Sequence, residues 1–446
     1  MASATVVLII LDSGFVALAF PEIEREFSTT PRSTLSWVSS GYFIALASLM
    51  LLAGGLAERF GQKRIFIGGI GIYAVGAIAM ATAPAAWVVI GARLLQGAGA
   101  AALTPVSLAI ALPEFPTSRR STAIAGWAVV GGLSGVVAPT LGAIVVDLGG
   151  WRAPFVLLVG LLGLVAVAAV RTLRPDRPAS NPQPIDALSV PLTFAAIGGL
   201  AIALSKGRDW GLADSRTLAS IIIGLVCLPL LLRRSQQKNT GLIDLSLFRI
   251  GSYTKGSLAS VTTQLGFFAF FFTSPLFFTE VWGYSVLAAG LALALQQGTS
   301  ALFGLPLGRI TERFGAGAVV GAGGIVASLS FVWLVLMVDE SPNFWVAIAP
   351  AFIIGGLGTM ANGAMSTSLA FREIGDANLG MASSGYYVTR RIASGLGVVL
   401  GAAILGDATG GDSLGRFKLV WVVAAAAYFL SGLSGFADHK ASSPPS

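Results

Sequence analysis

Long apolar runs and short polar breaks alternate along the whole chain. The runs are roughly 17 to 25 residues long, and each ends at a cluster of Arg, Lys, Asp, Glu, Pro or Gly. A bilayer about 30 Å thick requires helices of this length. The strands of a membrane barrel would instead give segments of about ten residues with alternating polarity. The pattern therefore predicts an all-α membrane protein.

The apolar runs predict fourteen transmembrane helices. They cover residues 4–21, 36–57, 65–84, 86–112, 121–147, 153–172, 187–206, 216–233, 254–280, 285–308, 316–338, 343–366, 378–406 and 417–437. An even number of spans puts both termini on one side, and seventeen of the 28 basic residues then fall on that side, against eight in the opposite loops. Because Lys and Arg in short loops favour the cytoplasm, we expect both termini inside the cell, in an inner or plasma membrane.

The composition agrees with a membrane protein, because only 11% of the residues are charged and soluble domains carry about 25%. One cysteine and one histidine leave no ligand set for a metal cluster. The phosphate-binding GxxxxGK[ST] and nucleophilic GxSxG motifs are missing from the sequence. We therefore expect no enzyme activity, no cofactor and no metal. The net charge of +7 is spread over the loops, so it indicates topology rather than nucleic-acid binding.

An internal repeat indicates how the spans are arranged. The sequence Glu58-Arg59-Phe60-Gly61 recurs 254 residues later as Glu312-Arg313-Phe314-Gly315. This turn follows the second span of each of two six-span halves only if two extra spans lie between the halves. The predicted domains are a six-helix bundle at residues 1–173, a linker with two additional helices at 174–238, and a second six-helix bundle with a short cytoplasmic tail at 239–446.

The repeated turn carries a family motif. Residues 54–64 read GGLAERFGQKR, which resembles the loop signature GxLaDrxGrk of the major facilitator superfamily, with Glu58 where Asp is usual. The fourteen-span layout resembles the drug:proton antiporter family within it, the multidrug and antibiotic efflux type. The resemblance implies two pseudo-symmetric six-helix bundles plus two extra central helices, and a turn that latches one conformation. The latch residues are Gly54, Glu58, Arg59, Gly61, Lys63, Arg64, Glu312 and Arg313.

Two charged residues inside the spans also resemble family positions. Residues 11–21 read LDSGFVALAFP, similar to the first-span signature lDxTvvnvALP, and residues 93–101 read RLLQGAGAA, similar to the fourth-span signature RxxqGxgaA of proton-coupled members. An acid in a low dielectric can gain and lose a proton near neutral pH, so we predict Asp12 as the proton carrier and Arg93 as its coupling partner. In the alternative interpretation, Asp12 stays ionised in a packing pair and Arg93 only ties its helix to backbone carbonyls of the first span.

Spans 5 and 13 resemble the family more loosely. Span 5 keeps Pro139 and Gly142 of the antiporter signature GxxxxxxxxGxxxGPxxGG, while the small residues Ala125, Ser134, Ala138 and Ala143 replace its other glycines. Small side chains with a proline predict close helix packing and a bend. In span 13, residues 390–397 read RRIASGLG and resemble the family run RQxGxxxG, with Arg391 where Gln is usual.

Transporters of this fold bind substrates near the bilayer midplane. The polar and aromatic candidates for the cavity are Tyr42, Gln96, Gln264, Gln296, Gln297, Tyr386, Tyr387, Arg390 and Arg391. Away from the span ends, the spans hold three arginines and one aspartate, and the second half has no acid at membrane depth. A dication would meet no counter-charge there. The expected partners are therefore a neutral, zwitterionic or anionic amphipathic small molecule, protons and the lipid bilayer, with the protein as a monomer.

These observations favour a proton-coupled secondary transporter that exports small amphipathic compounds, drugs, antibiotics or metabolites, by alternating access. An importer that carries an organic anion or nutrient together with protons fits the same residues. A third hypothesis, from a different class, is a membrane sensor that does not transport. The sensor would tolerate the loss of Asp12 and Arg93.

Overall fold

The computed structural model of the chain describes residues 2–111, 134, 137–173, 188–211, 213–237, 245–374, 379–406 and 413–442. These residues are helical apart from short turns, and no strand occurs among them. Ala125 of predicted span 5 and the Pro-rich start of the predicted linker lie outside these ranges. The chain divides into two compact units, Met1–Gly241 and Leu242–Ser446.

Unit 1 contains helices α1 to α9. They are α1 Ala2–Glu26, the short α2 Arg32–Leu35, α3 Trp37–Phe60, α4 Gln62–Ala81, α5 Ala86–Ala111, α6 Val137–Gly149, α7 Ala153–Thr172, α8 Ser189–Trp210 and α9 Ser215–Gln237. Helix α5 packs against α1, α3 and α4, while α7 packs against α4 and α1. Helices α8 and α9 pack against each other, and α8 also contacts α2 and α3. The two additional helices are therefore attached to the first half of the chain through α2 and α3.

Unit 2 contains helices α10 to α15. They are α10 Gly251–Leu276, α11 Val286–Phe314, α12 Ala316–Met337, α13 Ala349–Phe371, α14 Leu379–Leu405 and α15 Ser413–Ser442. A 3₁₀ turn at Leu245–Arg249 precedes α10, and π-helical turns at Phe277–Val281 and Phe344–Ile348 flank α10 and α13. Helix α10 packs against α13, α14 and α15, and α12 packs against α13 and α15.

The helices account for the predicted spans, but the count of fourteen is not confirmed. Each predicted span overlaps one helix of the structure. Within the described ranges, ten helices are long and apolar enough to cross a membrane. Three further apolar helices are shorter, at Val137–Gly149, Ser189–Leu204 and Ser215–Leu231. The number of crossings therefore stays a prediction.

The repeated sequence motif forms the same tight turn in both units. Gly61 ends α3 and begins α4 at φ +102°, and Gly315 ends α11 and begins α12 at φ +81°. Residues with a Cβ rarely adopt such angles, which explains a glycine at each turn. Each glycine N–H donates to the carbonyl four residues earlier, at 3.0 Å to Ala57 and 2.9 Å to Thr311. One residue thus reverses the chain between two helices.

A close contact between two helices of unit 1 recurs between the corresponding helices of unit 2. A Cβ on Gly97 of α5 would lie 2.5 Å from the carbonyl oxygen of Tyr42 in α3. A Cβ on Gly356 of α13 would lie 2.7 Å from the carbonyl oxygen of Gln296 in α11. Gln296 follows Tyr42 by 254 residues, the offset that separates the two turns. Glycine allows the backbones to approach this closely, so both units are built on one helix-packing pattern.

Candidate functional site

Asp12 and Arg93 form an ion pair inside unit 1. The Nη1 atom of Arg93 in α5 donates to Oδ2 of Asp12 in α1 at 2.5 Å. Neither side chain reaches the surface, with exposures of 0% for Asp12 and 2% for Arg93. Two charges in a water-free interior are stable together only if their remaining hydrogen-bonding groups are also satisfied. The surrounding residues meet this requirement.

Asp12 accepts two further hydrogen bonds from buried side chains. The hydroxyl of Tyr73 in α4 donates to Oδ2 at 2.8 Å, and Nε2 of Gln96 in α5 donates to Oδ1 at 3.3 Å. Both carboxylate oxygens therefore accept hydrogen bonds. Tyr73 was absent from the sequence-based site. The only sequence signal for it was a single tyrosine in an otherwise apolar span.

Arg93 makes three other contacts besides its bond to the acid. Its Nε donates to the carbonyl oxygen of Val38 in α3 at 2.8 Å, and Nη1 donates to Oε1 of Gln96 at 2.7 Å. The guanidinium carbon lies 4.3 Å from the ring centre of Tyr42, a cation–π contact. The pair therefore links α1, α3, α4 and α5, and we refer to Asp12, Tyr42, Tyr73, Arg93 and Gln96 as the α1–α5 cluster.

Glycines bring the helices close enough to form this cluster. Gly76 of α4 faces Gln96, where a Cβ would lie 2.6 Å from Cγ. Gly99 of α5 faces Tyr73, where a Cβ would lie 2.7 Å from the backbone nitrogen. Larger residues at these positions would separate α4 from α5. The polar side chains could not then meet over such short distances.

The structure brings four of the predicted site residues together in this cluster. Asp12 and Arg93 lie side by side, a contact that the proton-coupling prediction and the packing pair of the alternative interpretation have in common. Tyr42 and Gln96 were predicted to line a substrate cavity, and here both are buried against the pair, at 1% and 0% exposure. The carbonyl that binds Arg93 belongs to α3 rather than to the first span. The alternative interpretation therefore differs from the observed contacts in this detail.

Unit 2 has no copy of the ion pair at the corresponding place in its described part. The offset of 259 residues between Gly97 and Gly356 places Phe352 where unit 1 has Arg93. Phe352 packs edge-on against Phe270 with a centroid distance of 5.9 Å, and Phe270 contacts Phe331 at 5.0 Å. The two units share a packing pattern, but an aromatic cluster replaces the charges in the second.

The predicted cavity residues of unit 2 fall into separate groups. Nη2 of Arg390 donates to Oε1 of Gln264 at 3.4 Å, and Nε2 of Gln264 donates to Oγ of Ser394 at 3.1 Å. The rings of Tyr386 and Tyr387 lie 5.5 Å apart.

The remaining unit 2 candidates lie on α11 and α14. The hydroxyl of Tyr386 is 2.9 Å from that of Thr367 in α13. Gln296 is buried where α11 meets α13, and Gln297 beside it is half-buried. Arg391 follows Arg390 in α14 and is also half-buried. The glutamines of α11 therefore belong to a different helix contact from the residues around Arg390.

A groove on unit 2 contains none of the predicted site residues. It has a volume of about 400 Å³, and apolar side chains from α11, α12 and α13 line it, including Leu307, Phe314 and Val326. This lining offers no group that would orient a polar substrate.

The latch residues surround the tight turn of unit 1. Nζ of Lys63 donates to the carbonyl oxygens of Val170 at 3.0 Å and Leu173 at 2.8 Å, at the end of α7. A cation at a helix C-terminus also complements the helix dipole. In unit 1 the lysine of the motif therefore pairs with the end of a neighbouring helix. Glu58 lies in α3, and its side chain lies outside what the structure describes.

The other latch residues follow the repeat. Gly54 has open space around it, and Arg64 is exposed at the start of α4. The guanidinium carbon of Arg59 lies 5.7 Å from the ring of Phe60, and that of Arg313 lies 5.2 Å from the ring of Phe314. Glu312 is exposed beside Arg313. The arginine and phenylalanine of the motif thus make the same contact in both units.

The small residues of α6 pack against α1. A Cβ on Gly142 would lie 2.9 Å from Cδ1 of Phe15. A Cβ on Gly14 would lie 2.7 Å from Cβ of Ala138, the residue before the buried Pro139. Gly14 replaces the threonine of the first-span signature, and this contact gives the physical reason that a larger side chain would not fit. Close packing between these two helices holds α1, and with it Asp12, in place.

Comparisons with known proteins give consistent results. The sequence profile described as Major Facilitator Superfamily matches residues 2–232 and 256–445. The methylenomycin A resistance protein of Streptomyces coelicolor is 29% identical over 436 residues, covering 96% of this chain and 89% of that protein. The multidrug efflux pump LfrA of Mycolicibacterium smegmatis is 30% identical over 404 residues, covering 90% and 78%. The fold is similar to the crystal structure of peptide transporter POT in complex with sulfate, with a TM-score of 0.73, 15% identity and coverage of 98% and 92%.

Proposed function

The chain belongs to the Major Facilitator Superfamily of membrane transporters, and we propose that it exports small amphipathic compounds in exchange for protons across the bacterial plasma membrane. Its relatives include a resistance protein and a multidrug efflux pump, which supports export. The α1–α5 cluster is the single observation that carries proton coupling. Burying charged side chains at membrane depth costs free energy, so such residues usually belong to a functional site.

The proposed coupling follows from the hydrogen bonds of Asp12. In the observed state its carboxylate balances the charge of Arg93 and accepts from Tyr73 and Gln96. Protonation would remove the negative charge and leave Arg93 buried without a counter-ion. The helices would then have to move so that Arg93 meets water or another partner. A proton on Asp12 thereby favours a different arrangement of the helices that meet at the cluster.

Burial of the cluster also supports gated exchange. Asp12 has no exposed surface in this state, so a proton reaches it only when α1, α4 and α5 separate enough to admit water. Exchange with one side of the membrane at a time is what antiport requires. We propose that the six-helix halves rock about the substrate, with the Gly61 turn and Lys63 holding one end state. The proton and the substrate then use the same movement in opposite directions.

Several further features belong to the same proposal. The chain crosses the bilayer fourteen times with both termini in the cytoplasm, and it works as a monomer. Away from their ends, the predicted spans carry three arginines and one aspartate. This excess of positive charge favours a neutral, zwitterionic or anionic substrate over a dication. Helices α8 and α9 move together with the first six-helix half during transport, since α8 contacts α2 and α3.

The alternative function is import of an organic anion or nutrient together with protons. Inverted membrane vesicles with an acidic lumen separate the two directions, because their outer face is the cytoplasmic one. An antiporter lets protons leave the lumen when an amphipathic antibiotic is added outside, and a fluorescent pH indicator in the lumen reports the collapse. We expect collapse with the parent protein and none in vesicles without it. An importer would give no response in this arrangement, and would respond in right-side-out vesicles instead.

A further inference from the structure

Arg390 is an arginine at membrane depth whose charge is not balanced by an acid in the described part of the chain. It lies within the apolar helix segment Gly385–Leu405 of α14 and is half-buried. None of the ion pairs found in the described ranges includes it. Arg93, by contrast, has an aspartate at 2.5 Å. A charged side chain in this position is expected to serve a substrate or ion pathway.

The side chain of Arg390 has few hydrogen-bond acceptors within reach among the described residues. Its one hydrogen bond within the described residues is long, at 3.4 Å to Oε1 of Gln264. Guanidinium has five donors and no acceptor, so the site lacks an acceptor group that carries negative charge.

Two other polar groups of unit 2, Asn362 and Asp438, are already paired with other residues. Oδ1 of Asn362 accepts from the hydroxyls of Thr263 and Ser431, and its Nδ2 donates to the carbonyl oxygen of Val320 at 3.0 Å. Asp438, at the end of α15, binds Arg372 at 2.7 Å and Lys255 at 3.5 Å. Both groups are satisfied without Arg390.

We propose that Arg390 binds a carboxylate group of the exported compound, with Gln264 orienting the guanidinium beside it. The planar fork of arginine matches the two oxygens of a carboxylate. This inference rests on the proposed export function and makes it more specific, because it names an organic acid as the substrate class. The two units then have different tasks. The α1–α5 cluster of unit 1 binds and releases the proton, and Arg390 of unit 2 binds the substrate anion.

Binding to the purified protein tests this assignment. The probes are a panel of fluorescent amphipathic carboxylates, dansylated amino acids, each paired with its methyl ester. Fluorescence titration of the parent should give tighter binding of the acids than of the esters. Arg390→Gln should weaken acid binding about 10- to 100-fold and leave ester binding within about 3-fold. Arg390→Lys, which keeps the charge but loses the fork, should fall between the two.

Matched variants separate this proposal from its alternatives. Arg249→Gln removes one exposed positive charge from unit 2 and should leave the acid preference unchanged. Equal affinity of the parent for acids and esters, or no binding of any acid in the panel, would overturn the proposal. So would an unchanged acid preference in Arg390→Gln, the result expected if the guanidinium merely reaches toward lipid headgroups. Asp12→Asn should keep the preference for acids over esters, so a failure of proton coupling would be recognised independently of a failure at Arg390.

Discussion

The ion pair of the α1–α5 cluster predicts a large and non-additive effect on stability. Replacing Arg93 by methionine keeps much of the side-chain volume but removes the guanidinium. Asp12 would then be a buried carboxylate that retains only the hydrogen bonds from Tyr73 and Gln96. Removing one partner of a buried pair destabilises a protein by about 3–5 kcal/mol. We expect Arg93→Met to lower the free energy of unfolding by about that amount.

The double variant provides the sharper test. Asp12→Asn in the Arg93→Met background removes the charge that the first substitution leaves unbalanced. The second substitution should therefore cost little, and the double variant should be about 2 kcal/mol more stable than the sum of the two single effects. This difference isolates the interaction between the charges from the loss of packing and of the Val38 hydrogen bond.

The free energies can be measured by denaturant titration of the purified protein in mixed detergent micelles, with helix content followed by circular dichroism. Arg249→Met serves as the matched control, because it removes an exposed arginine from the same chain and should change stability by less than about 0.5 kcal/mol. Additive effects of the two substitutions would refute the reasoning. They would mean that Asp12 and Arg93 do not share a buried ion pair in the folded protein.

Three further predictions concern packing, the end of unit 2 and the substrate. Gly97→Ala should destabilise the protein by about 1–3 kcal/mol, because its Cβ would lie 2.5 Å from a backbone oxygen, whereas Gly91→Ala faces open space and should be neutral. Equal melting temperatures for these two variants would contradict the packing. Asp438→Asn should lower stability by about 1–2 kcal/mol by weakening its pairs with Arg372 and Lys255, and an unchanged melting temperature would count against them. Cells that express the protein should retain a dicationic dye as control cells do, and robust efflux of the dye would exclude the proposed substrate class.

Local sequence patterns predicted most of the fold. Hydrophobic runs of bilayer length located each long helix of the described ranges, because length and apolar composition are properties of one segment. The recurrence of four residues at an offset of 254 identified both tight turns, since a reversal at a single residue requires glycine. The contact between Asp12 and Arg93 could also be predicted from the sequence, because a buried charge needs a partner of opposite charge and the membrane interior offers few.

Contacts between distant helices were harder to predict. Tyr73 donates to Asp12 because Gly99 lets α5 approach its backbone, and the apolar pattern of α4 does not show which face meets α5. Tyr42 and Gln96 are polar residues at membrane depth, and sequence alone does not tell a cavity wall from an ion-pair neighbour. The role of Lys63 depends on where α7 ends relative to the turn. Each of these details is fixed by helix packing rather than by the composition of one segment.

The central claim is that Asp12 carries the proton, and substrate-driven proton flux through the purified protein tests it most directly. The protein is reconstituted in liposomes that contain a pH indicator, and flux is recorded after addition of an exported compound. Asp12→Asn should abolish the flux and still bind that compound. Asp147→Asn, which neutralises an exposed carboxylate of the same unit, should behave as the parent does. Proton flux at the parent rate in Asp12→Asn would contradict the account.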